Sequence, residues 1–356
     1  MCGISGIYNF ENKNIEIKEI IKKIINLQNT RGPDNNNIWR SNCNKVYFGH
    51  NRLSIIDLSN NANQPFVSND NNYTITFNGE IYNYKLIRQE LEQKKITFKS
   101  NSDTEVILES YKFWGLEFLN KLRGMFSFVI WDDLKKKMIL ARDPFGIKPL
   151  YYTKKNNVFY FASEINSILS IKNLQFEKSK KSLVSYLLWG HIQEPFTLYK
   201  DIESIRKGSA KILNENGSEQ NYIYANIKDE ILNSDNDYFK SEDDLNEKLK
   251  FLINETVKFH HVSDVPVTLL LSAGIDSSTI LGSLSDTDKK KCSALTLDFE
   301  FDNISRESHI AKKSASINNI KHFVKKIEKH ELQNLINNFY LRMDSPTNDG
   351  LNNFLV

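Results

Sequence analysis

The chain has 356 residues, 40% of them hydrophobic and 26% charged, which is the composition of a globular protein of about two domains. The 47 basic and 44 acidic residues leave a net charge of +3, so we expect no nucleic-acid or membrane partner. No apolar run reaches transmembrane length, and the N-terminus lacks the features of a signal peptide. Cys2, Cys43 and Cys292 form neither a disulfide framework nor a metal-ligand pattern, so we expect a cytoplasmic protein.

The first 165 residues predict many short strands interrupted by helices, without a regular alternation of strand and helix. The predicted strands are Cys2–Phe10, Val46–Phe48, Leu53–Ile56, Tyr73–Phe77, Phe126–Trp131, Lys137–Arg142 and Val158–Ala162. The predicted helices are Ile15–Leu27, Tyr84–Gln93 and Thr104–Trp114, the last preceded by Ser102-Asp103 at its N-cap. Asn78-Gly79 is a strong tight-turn signal. This order predicts stacked antiparallel sheets covered by helices.

The remainder of the chain changes character after a polar stretch, which we interpret as a connector over 216–243. The elements predicted around it are helices at Lys180–Leu188, Leu245–Phe259, Thr279–Leu284, Glu307–Ala315 and Lys329–Leu341, with strands at Val267–Leu271, Ala294–Leu297 and Lys321–Val324. The first two of these strands are continuous apolar runs, which predicts burial on both faces. Strand and helix alternate, so 244–356 is predicted to be an α/β domain with a parallel sheet.

The residue at position 2 is the first candidate for chemistry. If Met1 is removed, Cys2 carries a nucleophilic thiol and a free α-amino group that can serve as its base. Their pKa values, about 8.5 and about 8, are close enough to neutral pH for proton exchange. Position alone does not establish this role, because any chain can carry a cysteine there.

Ser272–Ser278 follows a predicted buried strand and opens a helix, which is the arrangement of an anion-binding loop. Its backbone N–H groups and the hydroxyls of Ser272, Ser277 and Ser278 can donate to phosphate oxygens. Asp276 cannot donate, so its carboxylate suggests a Mg²⁺ ligand or a water-mediated partner. The alternative is a serine-rich helix cap without a ligand.

This loop resembles the pyrophosphate loop of ATP pyrophosphatases, whose usual form is Ser-Gly-Gly-x-Asp-Ser-Ser, and Ala273 is a departure from it. The resemblance implies a Rossmann-like α/β domain that uses ATP and Mg²⁺. The residues it assigns to ATP and pyrophosphate are Leu270, Ser272, Gly274, Asp276, Ser277, Ser278 and Leu295. Asp276 would be the metal ligand, and the two leucines would contact adenine at the strand ends or pack in the core.

The first half carries a series of motifs in a fixed order. They are Cys2-Gly3-Ile4, Arg31–Asp34, Arg52–Asp57, Phe77–Asn83, Ser102–Glu105, Gly124–Phe128 and Ala141–Tyr152. This series resembles the class II glutamine amidotransferases, and in particular their asparagine synthetase branch. The resemblance implies an α+β N-terminal nucleophile domain with αββα layers over 2–215, followed by the ATP-pyrophosphatase domain over 244–356.

The resemblance also assigns roles in binding and hydrolysing glutamine. Arg52 would bind the α-carboxylate, and Asp103 with Glu80 would bind the α-ammonium group. Cys2 would attack the side-chain amide, while the Asn78 side chain and the Gly79 N–H stabilise the oxyanion. The structural alternatives are a surface cation for Arg52, a plain hairpin turn for Asn78-Gly79 and an N-cap for Asp103. We interpret Arg31 and Arg142 as structural, buttressing the site through buried ion pairs.

The implied overall reaction is glutamine-dependent asparagine synthesis, in which ATP adenylates aspartate and ammonia displaces AMP. A homodimer is compatible with this plan. Other interpretations stay open: a sugar carboxylate as the amide acceptor, a fragment with glutaminase activity only, a non-catalytic glutamine-binding module, and a protein that traps abasic DNA through Cys2.

The C-terminal residues carry two further expectations. Asp344–Thr347 resembles a family segment beside the active site, but the family's later segments do not follow Val356, so we expect an incomplete synthetase domain. Asn348-Asp349-Gly350 departs from the segment associated with aspartate as the acceptor, which leaves the acceptor open.

Overall fold

The computed structural model describes residues 1–11, 16–233, 239, 241–299, 307–347 and 350–355. They belong to two compact units, Met1–Asn233 with Asp344–Thr347, and Ser234–Met343 with Asn348–Val356. The boundary after Asn233 falls within the predicted connector 216–243, whose polar centre, 234–238, lies outside the described residues. Ile15, Asn348, Asp349 and Val356 also lie outside them.

The first unit contains two six-stranded antiparallel sheets. Its strands are β1 (Gly3–Asn9), β2 (Asn35–Arg40), β3 (Val46–Arg52), β4 (Phe66–Val67), β5 (Tyr73–Ile81), β6 (Gly124–Asp132), β7 (Lys137–Arg142), β8 (Tyr151–Lys155), β9 (Val158–Ala162), β10 (Glu203–Ser204), β11 (Ser209–Leu213) and β12 (Glu219–Ile223). One sheet has the order β10-β8-β9-β1-β3-β2, and the other has the order β12-β11-β7-β6-β5-β4.

The two sheets pack face to face, with helices on their outer faces. The described α-helices of this unit are α1 (Ile17–Leu27), α2 (Tyr84–Gln93), α3 (Asp103–Trp114), α4 (Ile165–Leu169), α5 (Lys180–Trp189) and α6 (Ile227–Asn233). Large side chains from both sheets, including Phe48, Trp131 and Phe161, form the core between them. Helix α1 packs its isoleucines against Ile7 on the outer face of one sheet, and α3 contacts β5 of the other. The predicted αββα layering is confirmed.

Two predictions in this unit are wrong, the strand bounds around Gly49–Arg52 and the turn at Asn78-Gly79. Gly49–Arg52 continues β3, because this segment pairs with β1 on one side and β2 on the other, and Leu53–Ile56 is not a strand. Asn78 and Gly79 do not form a tight turn. They lie within β5, opposite Ser127 and Phe126 of β6, and the long β5–β6 ladder overrides the local turn preference.

The sequence patterns also miss the polar edge strands. Strand β2, rich in asparagine, ends one sheet, and β12 ends the other. Edge strands expose many side chains, so their polarity hides them from a search for apolar alternation. Strand β12 lies inside the stretch predicted as a connector, and its pairing with β11 attaches it to the first unit.

The second unit alternates helix and strand. Its elements are α7 (Glu242–His260), β13 (Val267–Leu270), α8 (Ile275–Ser283), α9 (Asp286–Lys289), β14 (Cys292–Phe299), α10 (Glu307–Ile317), β15 (Lys321–Ile327), α11 (Lys329–Arg342) and α12 (Leu351–Leu355). The strands form a parallel sheet in the order β13-β14-β15, as predicted for an α/β domain. No helix within the described residues combines the length and apolarity needed to cross a membrane.

Burial in this sheet differs from the prediction. Residues of β14 alternate between buried and half-buried, and Leu270 of β13 is 45% exposed. Leu271 and Ala294 pack with helical residues such as Leu281 and Ala311 in one cluster, which Leu270 does not join. The described helices therefore bury one set of alternate side chains, and the expectation of strands buried on both faces is wrong here.

Candidate active site

A cavity of about 130 Å³ in the first unit collects every residue predicted to act on glutamine. The residues that line it are Met1, Cys2, Arg52, Leu53, Ile55, Ile56, Ala62, Gln64, Phe77, Asn78, Gly79, Glu80, Ser102, Asp103, Thr104 and Lys148. They come from the two residues before β1, the end of β3 and the segment after it, the second half of β5, the start of α3 and the loop between β7 and β8. Both sheets of the sandwich therefore contribute to one pocket.

The thiol of Cys2 faces the backbone of Leu53. The Leu53 N–H donates to Cys2 Sγ at 3.4 Å, and Sγ donates to the Leu53 carbonyl at 3.6 Å. Burial raises the pKa of the Cys2 thiol and lowers that of the Met1 α-amino group. Arg31 supports this end of β1, because its Nε donates to the Cys2 carbonyl at 3.0 Å and its Nη1 lies 3.4 Å from Glu164.

Asn78 supplies a buried donor with no partner. Its residue is 1% exposed, and its Nδ2 makes no hydrogen bond to a described residue. An unsatisfied buried amide costs folding free energy, so such groups call for an explanation, and a ligand oxygen would provide one. At Gly79 a side chain would collide with the Met125 carbonyl oxygen and approach Phe126 Cα to 2.7 Å. The strand therefore approaches β6 closely beside the cavity.

Arg52 is 5% exposed, which excludes the interpretation as a surface cation. Its Nη1 donates to the Ser59 carbonyl at 2.9 Å and to Asn63 Oδ1 at 2.7 Å, and its Nη2 donates to the Asp57 carbonyl. These bonds hold one end of the guanidinium. The Nε–H and the second N–H of Nη2 make no bond to a described residue, so a carboxylate can be bound bidentately only along this side.

Asp103 is the first residue of α3, but it does not cap the helix. The Ser102 hydroxyl accepts the Glu105 N–H at 3.3 Å and serves as the cap. The Asp103 carboxylate accepts the Ile81 N–H at 3.0 Å and faces the cavity. Burial, with a smaller contribution from the charge of Glu80, raises the pKa of Asp103 to about 7. A buried carboxylate in this position favours a cationic ligand.

Gln64 and Lys148 are two of the lining residues to which no role was assigned from the sequence. Gln64 links strand and helix, because its Oε1 accepts the Phe77 N–H at 2.7 Å and its Nε2 donates to Thr104 Oγ1 at 3.2 Å. Lys148 is 7% exposed and brings an ammonium group to the wall that contains Cys2 and Glu80. Its motif was recognisable in the sequence, but the direction of its side chain was not.

The Ser272–Ser278 loop joins β13 to α8 in the second unit, and α8 begins at Ile275, earlier than predicted. The Ser277 hydroxyl accepts the Ser272 N–H at 3.1 Å and lies 2.9 Å from Ser272 Oγ. Ser272 Oγ also accepts the Gly274 N–H at 3.1 Å. These serines therefore hold the loop in a compact turn, while Ser278 lies in the first turn of α8.

The loop already binds an anionic group of the protein. The Ala273 N–H donates to Glu307 Oε1 at 3.3 Å, so a carboxylate oxygen is the acceptor of this backbone amide. Asp276 is exposed in the first turn of α8. Within the described residues no group of three or more His, Cys, Asp or Glu side chains is placed to hold a metal ion. Phosphate oxygens and water are ligands that Mg²⁺ prefers, and they could complete its coordination at Asp276.

Leu270 and Leu295, the predicted adenine contacts, are directly opposite each other in the parallel register of β13 and β14. Leu270 is 45% exposed and Leu295 is half-buried, so neither belongs to the described core. They lie at the same level of the sheet, beside the loop that begins at Ser272. The structure thus brings together the apolar pair and the serine loop that the sequence assigned to ATP.

Two protein families match the chain. A glutamine amidotransferase domain matches residues 1–225, and an asparagine synthase domain matches residues 248–353. Asparagine synthetase (glutamine-hydrolyzing) 1 of Bacillus subtilis is 37% identical over 98% of this chain and 54% of its own length. Asparagine synthetase (glutamine-hydrolyzing) 3 of the same organism is 34% identical over 79% of this chain and 44% of its own.

A relative with a different name is also similar: amidase chry2 of Gibberella zeae is 34% identical over 82% of this chain and 44% of its own length. The chain thus spans about half the length of these relatives. The amidotransferase match covers the unit that contains the cysteine pocket, and the synthase match covers the unit that contains the serine loop. The chain therefore belongs to the family of proteins with a glutamine amidotransferase domain, and its second unit is similar to asparagine synthase domains.

Proposed function

We propose that the first unit hydrolyses glutamine at Cys2 and that the ammonia released is a substrate of the second unit in an ATP-dependent amide synthesis. The observation that carries this proposal is the cavity in which the Cys2 thiol, Arg52, Asp103 and the Asn78 Nδ2, which has no partner among the described residues, lie together. Each chemical feature of glutamine finds a complementary group there. The α-carboxylate would bind Arg52, the α-ammonium would bind Asp103 with Glu80, and the amide oxygen would bind Asn78 and Gly79.

The reaction at Cys2 proceeds through a thioester in this proposal. Once Met1 is removed, the α-amino group of Cys2 takes the thiol proton as sulfur attacks the amide carbon. The tetrahedral oxyanion is stabilised by Asn78 and Gly79, and the same amino group protonates the departing nitrogen as the carbon–nitrogen bond breaks. Water then attacks the thioester, which releases glutamate and restores the thiol.

The second unit would activate the acceptor. The proposed reaction joins the side-chain carboxylate of aspartate to the α-phosphorus of ATP, with release of pyrophosphate toward the Ser272–Ser278 loop. Ammonia then displaces AMP to give asparagine. The Ala273 N–H, which donates to a carboxylate oxygen of Glu307, and the start of α8 favour an anion at this loop. Asp276 would hold Mg²⁺ together with phosphate oxygens, and the ion would neutralise phosphate charge.

A second candidate concerns the acceptor only. Amidase chry2 is a relative that is not named an asparagine synthetase, which is consistent with an acceptor other than aspartate. A sugar carboxylate is the alternative to aspartate that we consider, and a chain with glutaminase activity alone is the third possibility. The chemistry at Cys2 is the same in all three cases.

The test is product analysis with the chain as it exists. The protein is incubated with glutamine, with and without MgATP, aspartate or a panel of sugar acids, and glutamate, AMP and pyrophosphate are quantified. We expect glutamate from the wild type and none above background from Cys2→Ala. Glutamate formation that survives in Cys2→Ala would overturn the glutaminase proposal. Glutamate without AMP in the presence of aspartate would overturn asparagine synthesis and leave the glutaminase standing.

A further inference from the structure

Residues 143–148, between β7 and β8, form a loop held by the two side chains that precede or begin it. The Asp143 carboxylate is completely buried and accepts the N–H groups of Phe145 and Ile147 at 3.0 Å and that of Lys148 at 3.1 Å. Arg142 donates through Nε to the Lys148 carbonyl at 2.8 Å and through Nη2 to the Gly146 carbonyl at 2.6 Å. The backbone of Lys148 is therefore fixed on both sides.

The burial of side chains in this loop is the reverse of what their polarity predicts. Phe145 is 67% exposed and Ile147 is 51% exposed, whereas Lys148 is only 7% exposed. Lysine is among the residues least often buried, and a desolvated ammonium group is costly unless negative charge compensates it. The loop thus exposes its apolar side chains and directs its cation into the cavity that contains Cys2. Packing alone does not account for this arrangement.

Arg52, the other cationic side chain that lines the cavity, already donates several of its N–H groups to the protein. Arg52 is held by Asp57, Ser59 and Asn63 and has been assigned to the substrate carboxylate above. Lys148 has no such assignment. We propose that the Lys148 ammonium group stabilises negative charge on the sulfur of Cys2, and so acts as a positioning residue for the nucleophile. This inference rests on the proposed role of Cys2.

The charge would be needed at two points of the proposed reaction. It favours the thiolate that attacks the amide carbon, and it favours the thiolate that leaves when water cleaves the thioester. Burial otherwise raises the pKa of the Cys2 thiol, and the positive charge of Lys148 opposes that rise. Burial lowers the pKa of Lys148 itself, while the charges of Glu80 and Cys2 raise it. The lysine and the thiol therefore stabilise each other's ionised forms.

Other ionisable groups that act on Cys2 or Lys148 must be considered in any pH measurement. While Met1 is present, its α-amino group lowers the pKa of the Cys2 thiol, and the charge of Asp103 raises it. Glu80, Arg31 and Asp143 act on Lys148. A comparison of variants at one position keeps all of these groups constant, so the change in profile reports Lys148.

The experiment is the pH dependence of Cys2 alkylation by iodoacetamide, read by mass spectrometry of the N-terminal peptide of the whole chain. Because only the N-terminal peptide is measured, alkylation of Cys43 and Cys292 does not contribute to the signal. We expect Lys148→Met to raise the midpoint of alkylation by about one pH unit, which is about tenfold slower alkylation below both midpoints. Lys148→Arg should restore the midpoint, because it restores the positive charge.

Lys211 offers a matched control, because its side chain is 11% exposed and pairs with Glu219 at 2.9 Å away from the cavity lining. Lys211→Met should leave the alkylation midpoint unchanged. Circular dichroism establishes that each variant is folded. A Lys148→Met profile that coincides with the wild type overturns the inference, even if glutamine hydrolysis falls. Because alkylation needs no glutamine, a chain that lacks glutaminase activity still tests Lys148.

Discussion

The thiol of Cys2 lies against the backbone of Leu53, which donates its N–H to Sγ at 3.4 Å. This contact follows from the pairing of β1 with β3, in which Gly3 is opposite Asn51. Leu53 immediately follows Arg52, so the register of one strand pair sets the nucleophile beside the arginine proposed to bind the substrate carboxylate. The arrangement makes the site sensitive to changes in strands as well as in side chains.

Asn78→Ala should reduce kcat for glutamine hydrolysis by about a hundredfold to a thousandfold, because it removes a proposed oxyanion donor. Its stability should hardly change, since Nδ2 has no partner among the described residues. Asn51→Ala is the matched control. Asn51 is also buried, but its Nδ2 donates to the Ile25 carbonyl at 3.0 Å, so its loss should destabilise the fold by about 1–3 kcal/mol. Kinetics and urea unfolding of both variants check this contrast, which a loss of stability in Asn78→Ala would contradict.

Glutamine binding should weaken as the pH falls. Burial raises the pKa of Asp103 to about 7. Below that value the carboxylate is increasingly protonated and cannot pair with the α-ammonium group, so KM should rise by up to about tenfold per pH unit. Asp103→Asn should raise KM at pH 8 by about 10-fold to 100-fold and abolish this dependence. Steady-state kinetics test both statements, with Glu80→Gln separating the contribution of the neighbouring carboxylate; a KM that is flat in the wild type counts against the assignment.

Gly79→Ala should damage both fold and activity. The added methyl group would meet the Met125 carbonyl oxygen and the Phe77 ring, the latter at 2.8 Å, inside a paired strand. We expect a loss of about 1–3 kcal/mol in unfolding free energy and loss of glutamine hydrolysis. Gly282→Ala makes the same chemical change in α8, where nothing lies within 4 Å, and should not destabilise the chain. Thermal unfolding of the two variants, measured side by side, decides the point.

Ser277→Ala should affect ATP-dependent chemistry and leave glutamine hydrolysis unchanged. Its hydroxyl accepts the Ser272 N–H at 3.1 Å and orders the loop proposed to receive pyrophosphate. We expect AMP formation to fall by about tenfold, corresponding to the loss of about one hydrogen bond. Ser263→Ala is the control, because the Ser263 hydroxyl bonds to Val265 outside this loop. Equal effects of the two substitutions on AMP formation would argue against a specific role of Ser277.

Elements with a strong local pattern could be predicted from the sequence. Helix α2 spans the predicted Tyr84–Gln93, because its apolar positions recur at helical spacing and Pro and Gly are absent from it. The αββα layers and the parallel sheet also followed from the order of elements. Asn78-Gly79 was misinterpreted because turn propensity is local, whereas the β5–β6 ladder that contains these residues joins segments far apart in the chain.

The residues of the candidate site could be predicted from the sequence, but their contacts and orientations could not. The residues assigned to glutamine all line one cavity, yet the occupied end of the Arg52 guanidinium and the use of Ser102 as the helix cap depend on neighbours distant in sequence. Lys148 shows the same limit. Its motif was visible, but no spacing rule predicts that the loop exposes the side chains of Phe145 and Ile147 and buries that of Lys148.

Strand β5 connects two parts of the proposed glutamine site. Asn78 lies on this strand, and Asp103 is bonded to Ile81 of the same strand at 3.0 Å. The distance between the proposed oxyanion donor and the proposed ammonium site is therefore set by the rise of one extended segment, about 3.3 Å per residue. Because a paired strand is rigid, this spacing limits the length of substrate that can reach both proposed sites. Asparagine, shorter by one methylene, could occupy the α-amino and α-carboxylate subsites, but its amide would fall short of Asn78.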